Sequence, residues 1–219
     1  MRIGHWISSL FHRGTVTTPR TTPAPSNSTP APTPTPATPR PVDTFEPSAP
    51  MRVSLGQVTG FSPVERQKLD RATTLMANVL NSREFRDAVL SAEFAGKPGF
   101  ASDTRSPQEI YATIRAAKEN YTDAADGEVD LNLKLENFSW FQRHTVGYTT
   151  ETSDTLTTNR RFYSGFDETE VAGHLAHEWL HKLGFEHDFK ATARRPDSVP
   201  YELGELVERL AKGALTPLG

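Results

Sequence analysis

Apolar residues recur along this chain with two periods, and the switch between them divides it. After Ser62-Pro63, the residues Val64, Leu69, Ala72, Leu75, Met76, Val79 and Leu80 follow a helical repeat. Serine caps a helix start, and proline suits the first helical position because its missing N–H would have no partner there. The pattern predicts a helix from Pro63 through Leu80, then a second over residues 83–93. Ser106-Pro107 repeats the start signal for a third, over residues 108–120, with Ile110, Ile114 and Ala117 inside.

At Asp126-Gly127, a turn signal, the period drops to two. Val129, Leu131, Leu133 and Leu135 alternate with Asp130, Asn132, Lys134 and Glu136, as in a half-buried strand. Further strands are expected over residues 143–150 and 156–163. The helical period returns over residues 168–183, capped by Asp167 and ended by Gly184, and again over residues 200–212. Helices, then strands, then two helices make an α+β fold.

The first 50 residues belong to another regime. Ile3, Trp6, Ile7, Leu10 and Phe11 sit at helical spacing within residues 1–14. Two readings stand: an amphipathic helix that docks on a membrane surface or a partner, or an accident of five residues in a tail. Polar residues interrupt the stretch and no small-residue cleavage site closes it, so it is a poor signal peptide. Residues 15–50 are built from Thr, Pro, Ala and Ser, and 11 of the 17 prolines precede residue 51. Such a segment cannot bury enough apolar surface to fold and is expected to be a disordered, extended linker. One domain is expected over residues 51–219.

Charge and composition remove several functions. The net charge of −3 divides into +2 over residues 1–50, from four Arg against Asp43 and Glu46, and hence −5 over the rest. An acidic domain argues against nucleic acid as partner. Cysteine is absent, which excludes disulfides, thiolate metal sites and a Cys nucleophile. No apolar run approaches the roughly 20 residues of a membrane span. The compartment stays open between the cytoplasm and export by a non-standard route. Nothing in the pattern calls for a second copy, and a monomer is expected.

The chemistry lies in one stretch. Residues 177–187 read H-E-x-x-H-x-x-G-x-x-H. His177 and His181 are one helical turn apart, so both rings leave the same face and can share one metal ion. Gly184 can take the left-handed conformation that ends the helix, and the returning chain brings His187 as a third ligand. Three nitrogens leave a fourth position open, the mark of a catalytic zinc site. Glu178 stands beside the first ligand without binding the metal, where it can serve as general base. His174, seven residues before His181, is about 10 Å away along a helix axis and is expected on the helix surface or lining a cleft.

This constellation resembles that of the metzincins, a clan of zinc endopeptidases. The resemblance implies a zincin-like domain: N-terminal helices, a small mixed sheet, an active-site helix and a C-terminal helix. It implies one Zn²⁺ per chain on His177, His181 and His187, with Glu178 as general base in hydrolysis of a protein or peptide. Metzincins carry a methionine in a turn below the metal. Here all three methionines, Met1, Met51 and Met76, lie upstream, and Ser198-Val199-Pro200-Tyr201 stands at the corresponding place. The resemblance implies that Tyr201 stabilises the transition state, beside the plainer reading that it packs at a helix start. Metzincin substrates lie along an edge strand, for which residues 155–163 are the candidate. The alternative function is a non-catalytic zinc-binding adaptor with a relic site.

Overall fold

The computed structural model describes residues 3–5, 49–92, 105–142, 144–150, 153–188, 192 and 195–215. The architecture belongs to a unit of Met1–Ser8 and Ala49–Gly219; Ser9–Ser48 separate as a second unit, outside the described residues. The expected linker over residues 15–50 therefore lies outside them except for its last two positions.

Both Ser-Pro signals start helices. In α1 (Pro63–Leu80) the Ser62 side chain accepts from the Glu65 N–H while the Glu65 carboxylate accepts from the Ser62 N–H. The same reciprocal pair joins Ser106 and Glu109 at the start of α3 (Pro107–Ala116). Between them, α2 (Arg83–Ser91) is capped by Ser82. The buried face of α1 comprises Leu69, Ala72, Thr73, Met76, Val79 and Leu80. Val64, expected in that stripe, is 74% exposed. It lies five residues before Leu69, a spacing that rotates it well off the face. α3 stops short of the predicted residue 120, where Ala117 takes a left-handed conformation with φ of 45°.

Among the described residues, five strands form one mixed sheet: β1 (Ile3–His5), β2 (Arg52–Thr59), β3 (Glu128–Glu136), β4 (Gly147–Thr150) and β5 (Thr155–Asn159), in the order β1-β4-β5-β3-β2. β3 runs parallel to both β2 and β5, and β4 runs antiparallel to β5. The predicted alternation of β3 holds, with Val129, Leu131, Leu133 and Leu135 all buried. β2 was not legible, because a register shift between Leu55 and Val58 breaks its alternation.

Two expectations are corrected. Residues 155–163 do not form an edge strand. β5 ends at Asn159 and lies between β4 and β3, with Leu156 to Asn159 buried, as suits an interior strand. Arg160–Gly165 form the short helix α4, and Arg160 pairs with Glu65 of α1. In the N-terminal stripe, Ile3–His5 form β1, antiparallel to β4, a strand that neither reading of residues 1–14, docking helix or accidental pattern in a tail, included. A helix that short is marginal in water, whereas the open edge of β4 offers backbone partners. The remainder of that stripe lies outside the described residues.

α5 (Glu168–Lys182) is the centre of the unit, packed against α1 and against α6 (Val199–Leu215). Twelve of its 15 residues are buried, so side chains on every face meet protein. The fold is α+β.

Candidate metal centre

The N-terminus of α5 is pinned by Asp167, whose carboxylate accepts from the N–H groups of Thr169 and Glu170. Its C-terminus is set by Gly184, with φ of 79°. The Gly184 N–H bonds to the His181 carbonyl at 3.1 Å and the Phe185 N–H to the Leu180 carbonyl at 3.2 Å. This pair of bonds is the Schellman closure, which needs the left-handed glycine that the motif supplies. The turn also orients His181. The buried Phe185 presents its carbonyl to His181 Nδ1 at 2.8 Å.

The turn returns the chain to α5. One ring nitrogen from each of His177, His181 and His187 lies within 4.8 Å of the others. The sequence motif and the fold thus bring together the three predicted ligands. His187 Nδ1 lies 3.1 Å from the Asp188 carbonyl. A carbonyl can only accept, so His181 and His187 each carry a proton on Nδ1 and a lone pair on Nε2. Neither Nε2 has a hydrogen-bond partner among the described residues. Buried lone pairs without donors, backed by carbonyls on the far ring nitrogen, are what a metal ion requires of imidazole ligands. The three residues therefore fit a metal ion.

α6 closes the other side. Gly173 of α5 and Gly204 of α6 let the two backbones touch: a Cβ on Gly204 would lie 3.0 Å from His177 Cβ, and one on Gly173 would lie 2.8 Å from the Gly204 carbonyl oxygen. One turn before Gly204, Tyr201 sets its ring 4.7 Å from that of His177 and 4.9 Å from that of His187. Tyr201 thus packs on two of the three histidines rather than merely at a helix start. Arg195 is buried and lies 5.1 Å from the Tyr201 ring centroid. No local pattern pointed to Arg195, because only the tertiary fold brings it to the site.

Burial governs the electrostatics. It pushes the pKa of His181 down to about 4, aided by the charges of Arg195 and Lys182 and opposed by the Phe185 carbonyl. Burial, with His181 and Arg195 adding to it, takes His187 down to about 3. His177 falls well below its ordinary value by burial and by its neighbours. All three rings are neutral at physiological pH, the state in which imidazole binds a metal. Glu178 moves the other way: burial pushes its carboxyl up to about 8, against a smaller opposing effect of Lys182. Its two oxygens are buried and accept no hydrogen bond among the described residues.

The shell behind α5 is polar in ways the pattern did not reveal. Trp179 Nε1 donates to Glu119 at 2.9 Å, and the buried Lys182 donates to the Ser153 carbonyl. His174, expected on a surface or in a cleft, is wholly inside: 1% exposed, with Nε2 3.1 Å from Thr158 Oγ1. Among the described residues, no helix is long and apolar enough to cross a membrane. Comparison of the chain with models of protein families, with curated proteins and with solved structures finds no match.

Proposed function

We propose that this chain is a zinc-dependent endopeptidase with a zincin-like catalytic domain. One observation carries the reading. Three converging imidazoles adjoin a buried carboxylate, Glu178, that no hydrogen bond satisfies among the described residues. A carboxylate is costly to bury alone, and a purely structural helix would have no reason to keep one there. The parallel strands of the sheet, the buried helix α5 and the C-terminal helix α6 are compatible with the zincin arrangement implied by the motif.

When bound, zinc supplies Lewis acidity, polarising a carbonyl and lowering the pKa of a coordinated water to about 7. The chain's own residues do the rest. His177, His181 and His187 hold the ion, and the Phe185 and Asp188 carbonyls fix two of those rings. Glu178 takes a proton from the attacking water onto a carboxylate oxygen and delivers it to the leaving amine. The Tyr201 hydroxyl donates to the scissile carbonyl oxygen as that oxygen gains charge.

With β5 interior, the strand for peptide addition is β4. It lies next to α5, with Gly147 against His174, and its outer edge carries β1. An extended peptide would complete the ladder there by taking the place of β1. The test is hydrolysis of a peptide library by the zinc-loaded chain, with Glu178→Gln as control. The variant should retain its metal and lose about 10²- to 10⁴-fold in kcat. Full activity in Glu178→Gln, or a metal-loaded wild type that cleaves nothing, would defeat the proposal.

A further inference from the structure

His174 stands one turn before Glu178 on α5, held by both neighbouring strands. Thr158 of β5 meets its Nε2 at 3.1 Å. Gly147 of β4 lies so close to the ring that a Cβ there would come within 2.8 Å of Cε1. The other ring nitrogen, Nδ1, lies 4.0 Å from Glu178 Oε1. A buried histidine satisfied by one threonine is ordinarily an inert core residue. The direction of the threonine bond gives this one a further role.

Thr158 is 3% exposed, and its hydroxyl has a single proton to place. Among the described residues its one hydrogen-bond partner is His174 Nε2. A buried donor left unused is costly, so the hydroxyl donates and Nε2 accepts. Burial holds His174 down to about 4, so the ring is neutral and carries one proton. With Nε2 taken as acceptor, that proton is on Nδ1. The reverse arrangement would strand the hydroxyl proton in the interior.

We propose that His174 is a positioning residue for Glu178: the Thr158 hydroxyl selects the tautomer whose Nδ1–H faces Glu178 Oε1 and holds the carboxylate in one orientation. The kinetic consequence rests on the metallopeptidase reading; the tautomer does not. The separation of 4.0 Å exceeds a hydrogen bond, and unloaded sites commonly hold such pairs long until the ligand is in place. One oxygen anchored by a donor leaves the other directed at the water. A neutral donor orients the base without the strong loss of basicity that a lysine or arginine in contact would cause.

The test uses the zinc-loaded full chain with ¹⁵N-labelled histidine, His174 being assigned from the signal lost in His174→Asn. NMR should show His174 protonated at Nδ1 and unprotonated at Nε2. Thr158→Val should release that preference, and Glu178→Gln should move the Nδ1 resonance. A wild-type ring protonated at Nε2, or an Nδ1 signal indifferent to Glu178→Gln, overturns the proposal. In kinetics, His174→Leu keeps the bulk and removes the donor. Its kcat should fall about ten- to a hundredfold with KM within about twofold and metal content unchanged, the size typical of outer-shell partners. His174→Asn, which keeps an N–H near the Nδ1 place, should recover most of the loss, and Thr158→Ser should exceed Thr158→Val. Equal losses in the Asn and Leu variants would make His174 a packing residue only. Should His174→Leu fail to fold, the Thr158→Val and Thr158→Ser pair decides the kinetic question. A wild type that hydrolyses no peptide would remove the metallopeptidase reading, and NMR alone would then decide the geometry.

Discussion

Gly173→Ala tests whether the close crossing of α5 and α6 builds the centre. A Cβ at residue 173 would lie 2.8 Å from the Gly204 carbonyl oxygen and 2.8 Å from Glu208 Cβ. Carbon atoms pack best at about 3.5–4.0 Å, so α6 must move outward by roughly 0.5–1 Å. Overpacking of this kind costs about 1–3 kcal/mol. Alanine returns about 1 kcal/mol as the better helix former, leaving a net loss of roughly 0–2 kcal/mol. For a domain of this size each kcal/mol lowers Tm by about 2–4 °C, so the expected fall reaches about 8 °C. Gly213 of α6 meets nothing within 4 Å of its built Cβ, and Gly213→Ala should instead hold or raise Tm. The assay is thermal unfolding by circular dichroism on both variants, with bound zinc counted in each. Because α6 also carries Tyr201 against His177 and His187, Gly173→Ala should weaken zinc affinity while Gly213→Ala does not. A Gly173→Ala protein with the Tm and zinc affinity of the Gly213→Ala protein would refute the argument.

Tyr201→Phe keeps the ring on the two histidines and removes the hydroxyl, so kcat should fall about ten- to a hundredfold with zinc retained, checked by steady-state kinetics. Glu65 responds to pH with a definite sign. Burial alone would raise its carboxyl, but hydrogen bonds from Arg160 and Ser62 outweigh it and lower the pKa from 4.5 to about 2. Its stabilisation is therefore complete above about pH 4.5 and is lost as the pH falls toward 2, so Glu65→Gln should flatten that part of a Tm–pH curve. Deleting residues 1–14 removes β1 from the outer edge of β4. KM for an extended peptide should fall with kcat unchanged, and an unchanged KM would show that the edge does not take substrate.

The parts of the molecule governed by neighbours in sequence were legible. The Ser-Pro starts, the alternation of β3, the Asp167 cap and the Gly184 turn each depend on residues a few positions apart, and each appears where expected. The histidine cluster belongs to the same class, because a helical turn and one glycine bring its three residues together. What depended on distant partners was not legible. β5 reads like an edge strand until β3 and β4 close on both its sides. His174 has the local pattern of a surface residue, yet strands β4 and β5 bury it. Arg195 and the Gly173–Gly204 contact acquire meaning only when α6 crosses α5. The stripe at Ile3 reads as helical because the open edge of β4, nearly 150 residues away, cannot be seen from it.

The most direct test of the account is elemental analysis of the purified chain after zinc loading and removal of free ion. Wild type should hold about one zinc per chain, and His177→Ala, His181→Ala and His187→Ala should each hold far less while Glu178→Gln keeps the full amount. A wild type that retains no metal, or three alanine variants that all retain it, would contradict the assignment of these three histidines as a metal centre.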